Sequence, residues 1–145
     1  MQGRGRRMPL ILGGVNASAI TAGTTTVGIR VIHNNGDPFY ITHLCVRWPS
    51  VAGVEYNTIQ IKDTQHSRLI VDGSVILAAL GRTTGTGTSV VGGGWDWFPL
   101  IDPVIIRSGQ SLDCNISAVG ATIPASQMCV LAYGYQIYMV PDSQQ

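Results

Sequence analysis

Apolar and polar residues alternate in several short stretches of this chain, and this pattern predicts β-strands. Within residues 26–31 the apolar positions are Val27, Ile29 and Val31, with polar or small residues between them. Residues 57–62 repeat the pattern, with isoleucines at alternate positions. A period of two is the spacing of side chains that share one face of a strand. We therefore expect half-buried strands whose apolar faces meet in a core.

The C-terminal third has the clearest alternation. Pro103 is expected to start a strand over residues 104–107. Residues 111–118 follow a Gly turn and alternate strictly, with apolar side chains at Leu112, Cys114, Ile116 and Ala118. Residues 128–140 read as one long final strand. Gly134 is expected to bend or bulge it, because glycine inside a strand often marks a bulge.

The remaining segments are less regular. Residues 39–48 are apolar on both faces, which is typical of a central strand or of one packed at an interface. Residues 67–71 indicate another strand. Residues 74–80 fit either a helical turn capped by Ser74 or a buried strand led by Val75 and Ile76, since periodicity cannot distinguish the two in so short a run.

About eight strands separated by Gly and Pro turns predict an all-β fold, an antiparallel β-sandwich or jelly roll. The absence of a long helical period argues against alternating strand–helix folds. Residues 1–25 lack a strong period and are interrupted by glycines, so we expect an extended N-terminal arm before a sandwich domain at 26–145. Residues 81–94, mostly Gly and Thr, predict a flexible loop.

Low charge content and the placement of the basic residues both indicate that the protein assembles with other subunits. Charged residues make up 12% of the 145-residue chain, about half the usual share of ~25%, so we expect sister subunits to cover part of the surface. The predicted arm is basic, with arginines at Arg4, Arg6 and Arg7. We expect these arginines to dock onto an acidic subunit surface. A solvated, frayed terminus is the alternative. Nucleic acid is a weaker candidate partner, because no basic stripe carries stacking aromatic residues.

No pattern points to catalysis, a cofactor or a metal. The three cysteines, an odd number without a complete disulfide framework, lie in apolar stretches and are expected to be buried, inert thiols: Cys45, Cys114 and Cys129. The histidines have no metal-ligand spacing: His33, His43 and His66. A hidden Cys–His nucleophile pair is left open, since only geometry can test it. The apolar run at residues 8–12 is too short for a signal peptide, and no run could span a membrane as a helix.

Aromatic residues supply the candidate contacts. Trp95, Asp96 and Trp97 follow the glycine-rich loop and could contact a sugar or a protein partner. We favour the alternative that both tryptophans close the end of the core while Asp96 faces water, because alternation puts the tryptophans on one face. Tyr133 and Tyr135 lie on the uncharged final strand, which is either a central core strand or a strand that packs against a sister subunit.

Residues 95–140 resemble the last strands of viral and phage jelly rolls. The resemblance is carried by Trp97-Phe98-Pro99-Leu100, Pro103-Val104-Ile105-Ile106, Ser108-Gly109-Gln110-Ser111-Leu112 and the aromatic closing strand. It is greatest to the decoration (cement) proteins of tailed-phage heads. The resemblance implies a non-enzymatic virion protein, often a homotrimer, that is assembled in the host cytoplasm and binds the major capsid protein or other virion subunits.

A carbohydrate- or receptor-binding tip module of a phage fibre is the alternative, with loop 81–94 and the Trp95–Trp97 segment as its site. An enzyme on a β scaffold is a third and weaker hypothesis. Deleting residues 1–14 is expected to abolish attachment to a shell and to leave sugar binding intact.

Overall fold

Ten β-strands contain most of the residues that this computed structural model describes, which are 3–34, 36–83, 93–94 and 96–141. The strands are β1 (Gly3–Val15), β2 (Thr25–Ile32), β3 (Phe39–Arg47), β4 (Thr58–Asp63), β5 (Arg68–Ile76), β6 (Arg82–Thr83), β7 (Gly93–Gly94), β8 (Phe98–Ile106), β9 (Ser111–Ser117) and β10 (Cys129–Pro141). Two single-turn 3₁₀ helices, Val54–Tyr56 and Leu77–Ala79, interrupt them.

The strands form two antiparallel four-stranded sheets, which confirms the predicted β-sandwich. The first sheet has the order β1-β10-β3-β8 and the second has the order β2-β9-β4-β5. Strands β6 and β7 make a separate two-stranded pair. Without that pair, the order is that of a jelly roll, in which most consecutive strands lie in opposite sheets; β4 and β5 are the exception, since they pair within the second sheet.

The core lies between the two sheets and follows the predicted alternation. Ile59 and Ile61 of β4 are fully buried, as are the four apolar positions from Leu112 to Ala118 of β9 and its continuation. The largest buried side chain is Trp48, directly after β3. Each fully buried aliphatic or aromatic side chain stabilises the fold by roughly 1.5–3 kcal/mol.

Strand β2 departs from the predicted pattern at one position. Ile29 and Val31 are buried, but Val27 is exposed. The pairing with β9 shifts between Val27 and Ile29, so β2 has one residue more than its partner there. Such a bulge reverses which face the preceding residues occupy.

The central position of β3 is confirmed. The pairing is irregular at Gly134 as predicted, but the extra residue, Thr42, belongs to β3 and not to the final strand. β3 lies between β10 and β8, and the β10–β3 register shifts between Tyr133 and Gly134. A Cβ atom on Gly134 would overlap the carbonyl oxygen of Tyr40. The close approach of the two backbones therefore requires glycine at this position.

The prediction of an extended N-terminal arm is wrong for residues 3–15. Residues 3–15 form β1, which pairs with β10 from Gly3 opposite Pro141 to Val15 opposite Cys129. The glycines that hid this strand have a packing role. A Cβ atom on Gly14 would overlap the carbonyl oxygen of Arg30 in β2, a strand of the other sheet. Deleting residues 1–14 would remove a sheet strand and cannot test attachment alone.

Two other segments differ from or refine the predictions. β8 begins at Phe98, before the predicted start, and includes both Pro99 and Pro103. Residues 74–80 match neither alternative in full. Val75 and Ile76 end β5 without being buried, and the 3₁₀ turn Leu77–Ala79 follows Ile76 without a side-chain cap. Most of the predicted loop at 81–94, namely residues 84–92, lies outside the described residues.

Candidate functional site

The outward side of the first sheet carries an unusual concentration of aromatic and aliphatic side chains. Cross-strand register aligns Pro9, Tyr135 and Tyr40 in one row, and Ile11, Tyr133 and His43 in the next. The intervening β10 residues Val130, Ala132, Gly134 and Gln136 are buried, so the odd-numbered residues face outward. We call this surface the aromatic face; it comprises Arg7, Pro9, Ile11, Val15, Tyr40, His43, Trp97, Cys129, Leu131, Tyr133, Tyr135 and Ile137.

One end of the aromatic face is organised by Tyr135. Its ring stacks on Tyr40 with the centroids 5.1 Å apart and an interplanar angle of 4°. The guanidinium carbon of Arg7 lies 4.4 Å from the centroid of the Tyr135 ring. A cation over a tyrosine ring is attracted by the ring's electron-rich face. Arg7 is thereby held against the aromatic face by its own sheet.

A cleft lies at the middle of the aromatic face. The Tyr133 ring makes edge contacts with His43 and with Trp97, each with centroids 5.9 Å apart. Thr42 fixes the backbone beneath, because its hydroxyl donates to the Tyr133 carbonyl oxygen at 3.2 Å and lies 2.9 Å from Nδ1 of His43. We call the space between these groups the aromatic cleft; its volume is about 330 Å³ and it is lined by Ile11, His43, Trp97 and Tyr133.

The edge beside this cleft is irregular. Ile41 pairs with Val104 and His43 pairs with Pro99, so residues 100–103 of β8 stand opposite Thr42 alone. These residues bulge from the sheet, and we call them the β8 knob. Ile101 within it is fully exposed. A groove of about 510 Å³ runs between β8 and β5, the edge strand of the other sheet.

The outward side of the second sheet is built differently and is here called the polar face. Arg30 Nε lies 3.5 Å from Asp113 Oδ1, and register places Lys62 on the other side of the same carboxylate. Thr25 and Ser117 share a hydroxyl hydrogen bond of 2.9 Å. Its side chains suit contact with water.

The three cysteines are free thiols, and Cys45 and Cys114 are buried as predicted, while Cys129 is half-buried. Burial raises the pKa of Cys45, and the charges of Cys129 and Asp96 add to this rise. Burial also raises the pKa of Cys129, against the opposing charge and hydrogen bond of Arg47. Burial raises the pKa of Cys114 far above its ordinary value. These thiols remain protonated near neutral pH, so they are poor nucleophiles.

The histidines have ordinary hydrogen-bond roles. The Nε2 atom of buried His33 lies 2.5 Å from the Asp37 carbonyl oxygen, and Nδ1 of His66 lies 2.8 Å from the Asp63 carboxylate. Within residues 3–34, 36–83, 93–94 and 96–141, no three His, Cys, Asp or Glu side chains form a group that could hold a metal ion. In the same ranges no helix is long and apolar enough to cross a bilayer.

The structure brings several predicted contact residues together. Arg7, Trp97, Tyr133 and Tyr135 all lie on the aromatic face. Trp97 is 41% exposed, so the interpretation that it closes the core is wrong for this residue. Asp96 is half-buried and close enough to influence Cys45. Trp95 lies outside the described residues.

Strand β1 places Arg6 and Arg7 on opposite sides of the first sheet. Arg6 is exposed and, by alternation, points to the opposite side from Arg7. Arg4 contributes its backbone to the pairing with Val140. Sequence reasoning missed Ile11 and His43 as partners of Tyr133. The signal available was the alternation of Pro9 and Ile11 with Leu10 and Leu12, which the neighbouring glycines obscured.

Comparison with protein-family models, with curated proteins and with solved structures finds no match for this chain.

Proposed function

We propose that this protein is a non-enzymatic structural subunit of a virus or phage particle, which assembles with copies of itself and with other shell subunits through its aromatic face. The single observation that carries the proposal is that face. Its outward-pointing side chains are mainly aliphatic or aromatic across three of the four strands of the first sheet, β1, β10 and β3, with Arg7 at one end.

The aromatic face leaves apolar surface area exposed to water. Ile11 is 56% exposed and Val15 and Ile137 are also exposed, in continuity with Trp97 and Tyr133. Contiguous apolar patches on soluble proteins mark contact sites, because covering them removes apolar area from water. Tyrosine and tryptophan are also the residues that contribute most at protein interfaces. The polar face also exposes apolar side chains, namely Val27, Ile32, Leu69 and Ile76, but they lie on its two edge strands. The polar outward residues of β9 and β4 separate them, so assembly through the aromatic face is favoured.

The jelly-roll strand order and the resemblance of residues 95–140 to virion proteins support a place in a particle, as a decoration (cement) protein that associates as a trimer. The basic residues of β1 then act from the edge of the sheet and not from a free arm. Arg7 borders the aromatic face, whereas Arg6 is exposed on the opposite side of the same edge strand. Arginine suits such a border because its planar fork can bind a partner's carboxylate with two hydrogen bonds.

Light scattering across a dilution series tests the proposal with a matched pair of variants. Ile11 on the aromatic face and Ile32 on the polar face are 56% and 48% exposed. We expect Ile11→Asp to convert the wild-type oligomer to monomer and Ile32→Asp to leave its mass unchanged, with both variants folded by circular dichroism. A wild-type protein that is monomeric at every concentration, or equal behaviour of the two variants, would refute assembly through this face.

A second candidate function is recognition of a sugar by the aromatic cleft, favoured by the partial exposure of Trp97 beside Tyr133. Aromatic rings offer flat apolar area for such a ligand. Binding of wild-type protein to a glycan array that is lost in Trp97→Ala, with Ile32→Asp still binding, would support this function. An array without signal at high protein concentration would exclude the sugars it carries.

A further inference from the structure

The β8 knob is shaped to enter a partner. Ile101 is fully exposed although it is a large aliphatic residue, and none of the described residues covers it. Pro99 and Pro103 flank it within β8. Proline fixes one backbone dihedral angle and so reduces the freedom that the knob would lose on binding. An apolar side chain displayed on a stiffened bulge is suited to insertion.

The aromatic cleft is suited to receive such a side chain. Its lining of Ile11, His43, Trp97 and Tyr133 is mainly apolar and open to solvent. The ring contacts of Tyr133 with His43 and Trp97 hold its walls in place before any partner binds. Interface pockets that are already formed and can be fully desolvated contribute most of the binding energy.

Charge makes the two surfaces complementary. Asp102, which directly follows Ile101, is also exposed. On the receiving side, Arg7 lies over Tyr135, two residues along β10 from Tyr133. Two residues of a strand span roughly 6–7 Å. An Ile101 side chain seated in the cleft can therefore bring its neighbouring carboxylate toward the Arg7 guanidinium.

We propose that copies of this chain associate head to tail, with the β8 knob of one copy inserted in the aromatic cleft of the next. This inference rests on the proposed function, self-assembly through the aromatic face, and names the second surface that the face contacts. Because knob and cleft are different surfaces, the contact is heterologous. Such contacts close into rings when the rotation between copies allows it, and otherwise extend as filaments.

The first test is Ile101→Asp, measured by light scattering and sedimentation of the purified full-length chain. We expect its self-association to weaken about 100-fold, since the contact loses one buried aliphatic side chain and gains a carboxylate. Val119→Asp is the matched control, because Val119 is also largely exposed, at 70%, but lies after β9 and away from both surfaces. It should assemble like the wild type.

The second test mixes Ile101→Asp with Ile11→Asp. The protein concentration is chosen so that the wild type assembles and a contact weakened about 100-fold does not, and each variant alone is then expected to be monomeric. In the mixture, the intact knob of Ile11→Asp can enter the intact cleft of Ile101→Asp, so a heterodimer with one functional contact should form and stop there.

The outcomes separate the two proposals. If Ile101→Asp assembles as strongly as the wild type while Ile11→Asp is monomeric, the head-to-tail contact is overturned and the proposed function stands. A mixture that forms no heterodimer would also overturn the head-to-tail contact. Wild-type protein that stays monomeric would overturn both proposals.

Discussion

The two outer faces of the sandwich have the same strand geometry and opposite chemistry. On the polar face, the outward residues of β9 are Ser111, Asp113, Asn115 and Ser117. On the aromatic face, the outward residues of β10 are Cys129, Leu131, Tyr133, Tyr135 and Ile137. The inward positions of both strands are buried. The core therefore does not explain the difference between the two outer faces.

The first sheet has apolar side chains on both of its faces, although only the inward face packs in the core. Burial against the second sheet uses one face of the first sheet, as in any antiparallel sandwich. The other face also carries apolar side chains, and among the described residues Ile11, Val15 and Ile137 stay exposed there. A strand of this kind shows weak alternation, because both of its sides are apolar.

The largest effect is expected from Gly134→Ala, which disrupts the pairing of β10 with β3 beneath the aromatic face. The added Cβ would overlap the Tyr40 carbonyl oxygen. We expect a loss of about 3 kcal/mol in the free energy of unfolding, the upper range for overpacking. Urea unfolding measures it. Gly73→Ala is the control, since its Cβ would meet Gln60 at an ordinary 3.5 Å; equal losses in both variants would contradict the role given to Gly134.

An intermediate effect is expected from truncating one side chain on each face. Tyr133→Ala should weaken self-association about 30-fold, because interface tyrosines contribute about 2 kcal/mol when they are central. Asn115→Ala on the polar face should change it by less than about twofold. Concentration-dependent light scattering compares them, and a stronger effect of Asn115→Ala would reverse the assignment of the faces.

The smallest effect is expected from the buried thiol of Cys114, through the pH dependence of the free energy of unfolding. Burial raises the pKa of Cys114 above its ordinary value of 9.0. The folded state keeps the proton that the unfolded state loses, so stability is complete below pH 9 and falls as pH rises above it. We expect a loss of about 1.4 kcal/mol per pH unit. Cys114→Ala should lack this contribution; equal alkaline slopes in the two proteins, measured by urea unfolding, would contradict it.

The sequence predicted the polar face's strands better than those of the aromatic face. Strands β4 and β9 have polar outward residues, so their alternation is visible in the sequence. In β1, Ile11 faces outward between the inward residues Leu10 and Leu12, and Gly13 and Gly14 follow. This apolar run resembles a short leader segment as much as a strand.

The site was harder to predict because it is assembled across distant strands. Tyr133 and Tyr135 were identifiable from one strand, but the cleft also needs Ile11 from β1 and His43 from β3. The β8 knob depends on the pairing of β8 with β3, where four residues face one. No local pattern encodes that mismatch, since it exists only relative to the neighbouring strand.

The pairing of β1 with β10 has a consequence for how the subunit folds. These strands come from opposite ends of the described chain and pair along their full length. Contacts between residues so far apart in sequence form slowly, because a long loop must close before they contribute stability. On the ribosome, β1 would emerge early and wait unpaired until β10 is synthesised. Its apolar residues would be exposed to aggregation or chaperone binding during this delay.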